Sequence, residues 1–155
     1  MKDKWSDEIW TDDIELAFAV ISGKVSNAIN RAMIRQFRNE EIDMTPEQWL
    51  VMTCLWLEVE GDHPTQNMIA QATFKDRPSI TRLLRNLERQ ELIQRSEKEG
   101  DKRANYVMLT EKGKALQEKV KAVTIKGLDS IFYGFTEDEV KTAIKLLGRV
   151  FSNLQ

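Results

Sequence analysis

The chain has 155 residues, 41% hydrophobic and 31% charged, with a formal net charge of −2, which is enough apolar material for one core in one domain of ordinary size. A lone cysteine, Cys54, excludes an internal disulfide framework and suits a reducing compartment. No apolar run is long enough for a bilayer and the first residues lack a secretory apolar core, so a cytoplasmic, soluble chain without a membrane partner is expected.

Apolar residues recur every three or four positions at Ile14, Phe18, Ile21, Val25, Ile29, Met33 and Phe37 and predict a long amphipathic helix. The tail-like G-K-V-S at Gly23 lacks the upstream glycine of a phosphate loop and falls inside that helix. Thr45, Pro46 and Gln48 then supply a cap, a first-turn proline and the third member of a capping box. The helix they start is expected to reach about Glu60, with Trp49, Met52, Leu55, Trp56 and Val59 as its stripe and Gly61 as its stop.

After Pro64, Thr65 caps a shorter helix whose Met68, Ile69 and Ala72 are expected to face inward. A T-F-K link leads to Asp76, the cap of R-P-S-I-T-R-L-L-R-N-L-E-R-Q. There Ile80, Leu83, Leu84 and Leu87 make one apolar face, and Arg77, Ser79, Thr81, Arg82, Arg85 and Arg89 occupy the rest. Two short helices joined by a tight link form a helix-turn-helix. A strand I-Q-R-S-E-K, a charged turn opening at Lys98 and a return strand N-Y-V-M-L add a β-hairpin.

Thr110 caps the next helix, which carries Leu116, Val120, Val123, Leu128 and Ile131 and a weak point at Gly127. Thr136 with Glu139 starts a last helix bearing Val140, Ile144, Leu147, Phe151 and Leu154. The expected fold class is mainly α with a small β-hairpin wing: a winged helix-turn-helix lobe at 45–110, flanked by the terminal helices of 1–40 and 111–155 in a single domain. Charge is uneven along this plan. Residues 65–112 carry ten basic and seven acidic side chains, a local +3, while the remainder carries −5, as expected if one face meets phosphate.

The order of elements, the run D-K-R-A-N-Y-V-M-L-T from Asp101 to Thr110, and the run L-L-R-N-L-E-R-Q-E-L-I-Q-R together resemble the multiple-antibiotic-resistance regulator (MarR) family of winged helix-turn-helix repressors. The resemblance covers nearly the whole chain, and its most specific part is the wing pattern D-x-R separated by five residues from L-T. Two departures stand out. Glu91 occupies a position where many members have Gly, and Lys75-Asp76-Arg77-Pro78 is an unusual opening for the second helix of the motif.

A hairpin tip suits a narrow minor groove, whose negative potential attracts a guanidinium. Arg103 is placed to enter it, with Asp101 two residues away to brace the fork and Gly100 to make the turn. The resemblance implies the same two roles. For the major groove, Arg77, Ser79, Thr81 and Arg82 are the candidates for base edges, and Lys75, Arg85 and Lys102 for phosphates. The resemblance also implies a homodimer through the terminal helices, setting two recognition helices about 34 Å apart on double-stranded DNA with an inverted-repeat operator.

Trp49, Met52 and Trp56 read first as core packing, although the resemblance implies a cleft beside this helix for a small aromatic or phenolic effector. His63 is the only histidine, so no metal site is expected, and Cys54 reads as an inert thiol with a peroxide-sensing role as the rival. No nucleophile, base and orienter fall together, so no catalytic residues, no cofactor and no enzyme are expected. The resulting expectation is a sequence-specific transcriptional repressor, with a winged-helix protein-interaction module as the alternative.

Overall fold

The helix-forming signals all sit at the N-terminal ends, and the computed structural model places a helix after each. Residues 13–57, 63–98 and 101–154 are described, with side chains throughout except those of 97–105. The order is α1 (Ile14–Asn39), α2 (Pro46–Trp56), α3 (Gln66–Ala72), α4 (Arg77–Arg89), β1 (Ile93–Lys98), β2 (Asp101–Leu109), α5 (Glu111–Ile131) and α6 (Glu137–Ser152). Thr45 and Thr136 both close capping boxes, with Gln48 and Glu139 respectively. Thr65, Asp76 and Thr110 each accept from the backbone N–H three residues on.

The C-terminal ends of α1, α3 and α4 follow a rule that sequence does not announce. Glu41, Phe74 and Glu91 have φ of 53°, 52° and 60°, in the left-handed region where glycine is favoured. Each ends a helix by the same paired pattern. Glu91 N–H donates to Glu88 O at 2.9 Å and Leu92 N–H to Leu87 O at 3.0 Å, and the bonds after Phe74 and Glu41 repeat it. Glu91, the departure from glycine noted in the sequence, thus adopts the left-handed backbone that glycine favours.

The core gathers Met33 and Phe37 of α1, Val51, Met52 and Leu55 of α2, Ile69 of α3, the Ile80–Leu84–Leu87 row of α4, Ile93 and Val107 of the hairpin, and Val120 of α5. Two expectations need correction. In α3 and its C-cap the inward residues are Ile69, Ala70 and Thr73, whereas Met68 and Ala72 are exposed. The Thr73 hydroxyl donates to Ile69 O at 2.7 Å, which lets a polar residue take the inward place. In α2 the helix closes at Leu57, whose N–H donates to Thr53 O, while Val59, Glu60 and Gly61 lie outside the described residues.

The hairpin also differs from its expectation, because β2 starts at Asp101 rather than at Asn105. Pairing is regular from Ile93 with Leu109 to Glu97 with Asn105, and the next pair is Lys98 with Asp101. Residues 102–104 therefore form a bulge in β2, the kind of irregularity that re-aims a strand. Gly100 lies outside the described residues. On its other side β2 meets the approach to α3 through a Thr65–Tyr106 bridge and Val107 N–H to Pro64 O at 2.9 Å.

The exit of α4 is stitched to the start of α5. Three successive carbonyls accept from one short segment: Gln90 O from Lys112 Nζ at 2.8 Å, Glu91 O from the Thr110 hydroxyl at 2.6 Å, and Leu92 O from Thr110 N–H at 3.1 Å. A Cβ on Gly113 would stand 2.0 Å from Leu92 O, so only glycine allows this approach. Helix α5 runs unbroken through Gly127, where the missing side chain lets Gln36 of α1 come close.

Helix α6 has no buried residue, and Ile144, Leu146, Leu147 and Leu154 are each more than half exposed. The N-terminal half of α1 is similar, with Ile14, Phe18 and Val25 exposed. Phe151 of α6 stacks edge-on against Phe74, ring centroids 5.6 Å apart. No described helix is long and apolar enough to cross a membrane.

Candidate nucleic-acid interface

Helix α4 presents one buried row and one cationic face. Ile80, Leu83, Leu84 and Leu87 are buried, and Arg77, Arg82, Arg85 and Arg89 are exposed on the other side. Its first turn is set by Asp76, whose Oδ1 accepts Ser79 N–H at 2.7 Å. The Ser79 hydrogen bonds hold the Asp76 carboxyl below its usual range, with the charges of Lys75 and Arg82 adding to them. Pro78 fits inside that first turn because its missing N–H would have had no helical partner.

Pro78, Thr81, Arg82, Arg85, Asn86 and Arg89 line an open concavity of about 570 Å³. Three of those six carry positive charge and none negative, which is the electrostatic footprint of a phosphate-tracking surface. Glu88, the acidic residue of this helix, is turned away to Arg95 of β1. Arg95 Nε donates to Glu88 Oε1 at 3.0 Å, and Arg95 Nη2 pairs with Glu88 Oε2 to complete a fork. That fork, foremost its hydrogen bonds, lowers the Glu88 pKa and raises that of Arg95. It ties the hairpin to α4 through a two-point contact.

Of the sequence candidates, Arg77, Arg82 and Arg85 are exposed on this face, with Ser79 and Thr81 half-buried at its edge. Lys75 is drawn into an ion pair with Glu47 of α2 at 3.5 Å. Asp101, Lys102 and Arg103 belong to β2 and flank or occupy its bulge. Their side chains, and with them the expected Asp101–Arg103 brace, lie outside the described residues. Sequence reasoning missed Gln66 and Asn67, the first two residues of α3. Gln66 Nε2 donates to Thr81 Oγ1 at 2.6 Å, and Asn67 Oδ1 accepts from Arg77 Nε at 2.7 Å. The partners are ten or more positions apart, so no local pattern signals them.

A second concavity, about 260 Å³, opens between α2 and α5, with Trp49 and Trp56 facing Val120, Lys121, Thr124 and Ile125. Met52 is fully buried in the core and is not part of this lining. Trp56 Nε1 donates to Gly113 O at 3.0 Å, and the buried Thr124 hydroxyl finds no hydrogen-bond partner among the described residues. Cys54 is half-buried, and burial pushes its thiol up, away from the reactive thiolate. His63 is exposed, 6.3 Å from the Tyr106 ring, and no group of three metal-ligating side chains occurs among the described residues.

Comparison with known proteins bears on the fold and on the class of protein. The family model "Transcriptional regulator SarA/Rot" matches residues 33–120. Among solved structures, the transcriptional regulator PA3341 is 28% identical, with a TM-score of 0.74 over 88% of this chain and 97% of that one. The S. aureus MepR–DNA complex is 26% identical, with a TM-score of 0.77 over the same shares. A MarR-family regulator from Rhodococcus sp. RHA1 is 18% identical, with a TM-score of 0.78 over 90% of this chain and 96% of that one, and bears on the fold alone.

Proposed function

Because the chain belongs to the SarA/Rot family of transcriptional regulators and has the winged-helix fold of MarR-family regulators, we propose that it is a cytoplasmic, homodimeric, sequence-specific repressor of transcription. In this reading α4 lies in the major groove of double-stranded DNA and the tip of the β1–β2 hairpin enters the adjacent minor groove. The observation that carries it is the concavity of α4, lined by Arg82, Arg85 and Arg89 and by no acidic residue, while the one acidic residue of the helix is turned away into the fork with Arg95. Arg77, Ser79, Thr81 and Arg82 meet base edges, Lys75, Arg85 and Lys102 meet phosphates, and Arg103 braced by Asp101 enters the minor groove.

Two further parts of the proposal rest on other observations. The unspent apolar faces of α1 and α6 support dimerisation, which would place two copies of α4 on an inverted repeat. The apolar concavity walled by Trp49 and Trp56 supports a small aromatic effector, which would relieve repression by favouring one spacing of the two lobes.

The test is fluorescence anisotropy with a duplex selected from a random pool. Tight binding to a two-fold consensus that weakens steeply with salt, and falls about a hundredfold for Arg103→Ala, is expected. A chain that enriches no duplex, or an Arg103→Ala variant that binds like the parent, refutes the reading.

A further inference from the structure

Resting on the DNA-binding reading, we infer that Asn67 and Gln66 of α3 are specificity-determining positioning residues: their hydrogen bonds decide which atoms of Arg77 and Thr81 are left to meet a base. Arg77 is the first residue of α4 and exposed, and Thr81 stands one turn further along the same helix. Each has part of its hydrogen-bonding capacity already taken.

The guanidinium of Arg77 carries N–H groups on Nε and on two terminal nitrogens. Such a group grips guanine O6 and N7 either side-on, through Nε and one terminal nitrogen, or end-on, through both terminal nitrogens. Asn67 Oδ1 takes the Nε proton at 2.7 Å. The side-on grip is thereby closed, and the end-on fork remains, carried on a side chain whose long stem is held at its middle. Holding it there removes rotamer freedom before DNA arrives.

Thr81 is committed twice. Its hydroxyl proton goes to Arg77 O at 2.9 Å, and its oxygen accepts from Gln66 Nε2 at 2.6 Å. With that proton spent, the group facing it must be a donor, which is the amide nitrogen of Gln66. One lone pair and the methyl group are left. Thr81 therefore accepts from a base amino group or packs on a thymine methyl, and donates to a base acceptor only by giving up its bond to Arg77.

The experiment is selection of bound duplexes from a randomised half-site pool, using the full chain and the variants Asn67→Ala, Asn67→Asp and Gln66→Ala. Asn67→Ala is expected to lower the preference for guanine at one position about tenfold, within what one bidentate pair discriminates, because the unheld guanidinium is no longer committed to a single grip. Its affinity for a non-specific duplex, and the salt slope, stay within about twofold of the parent because phosphate contacts are untouched. Asn67→Asp keeps the accepting oxygen and keeps the preference. Gln66→Ala relaxes the adjoining position only. A parent consensus reproduced unchanged by Asn67→Ala overturns this inference alone, as does an equal loss of specific and non-specific binding with a lowered melting temperature. A parent that enriches no sequence overturns the DNA-binding reading and this inference together.

Discussion

The lobe from α2 to β2 and the two terminal helices solve the burial problem differently. In the lobe, each apolar row has a facing row: Ile80, Leu84 and Leu87 of α4 are fully buried with Val51 and Met52 of α2 and Val107 of β2. Helix α6 and the first half of α1 instead carry equally apolar faces to the surface, Leu147 at 52% and Ile14 at 65% exposure. Composition does not separate the two regions; what separates them is whether the described residues supply the second side of the contact. Extended apolar faces on an otherwise well-packed chain are the mark of an interaction surface.

Five variants break or sharpen that contrast. The largest effect is expected where lobe and flank are welded. Gly113→Ala forces a Cβ against Leu92 O, and thermal or denaturant unfolding should show a loss of about 3 kcal/mol. Leu147→Glu on α6 should leave the lobe folded by circular dichroism and shift sedimentation to the monomer. Affinity for a two-fold operator should then fall about a hundredfold, since the second half-site loses its effective concentration.

Arg95→Ala cuts the fork to Glu88 and should cost about 1 kcal/mol at neutral pH. That fork has an acid limb. The Glu88 carboxyl titrates below its ordinary value of 4.5 in the folded chain, so its contribution is complete above that pH and is lost as pH falls through the lowered value. Glu88→Gln should flatten this limb of the stability–pH curve. The smallest effect is a gain: Glu91→Gly relieves a left-handed φ of 60° and should stabilise the lobe by about 0.5 kcal/mol, net of the lost contact to Lys112.

Helix starts were legible because an N-cap is a local chemical event, in which a short polar side chain reaches an N–H three residues on. Thr45, Thr65, Asp76, Thr110 and Thr136 all do so. Helix ends were not, because Glu41, Phe74 and Glu91 hold a backbone shape whose usual sign is glycine. The face of α3 was misread since seven residues give too few repeats to tell Met68 from Ala70. On the cationic face the arginines could be read from the row they share on α4. The partners of that helix, Asn67 for Arg77, Gln66 for Thr81 and Arg95 for Glu88, sit on other elements and become visible only once the chain is folded.

The three carbonyls that follow α4, all accepting from residues 110 and 112, leave no joint between α4 and the long rod of α5. A tilt imposed anywhere along that rod reaches α4 as a swing rather than being absorbed by a loop. Hydrogen exchange at the Thr110 amide is the natural gauge of this rigidity: it should be among the slowest outside the helices, and should stay slow whenever the swing occurs.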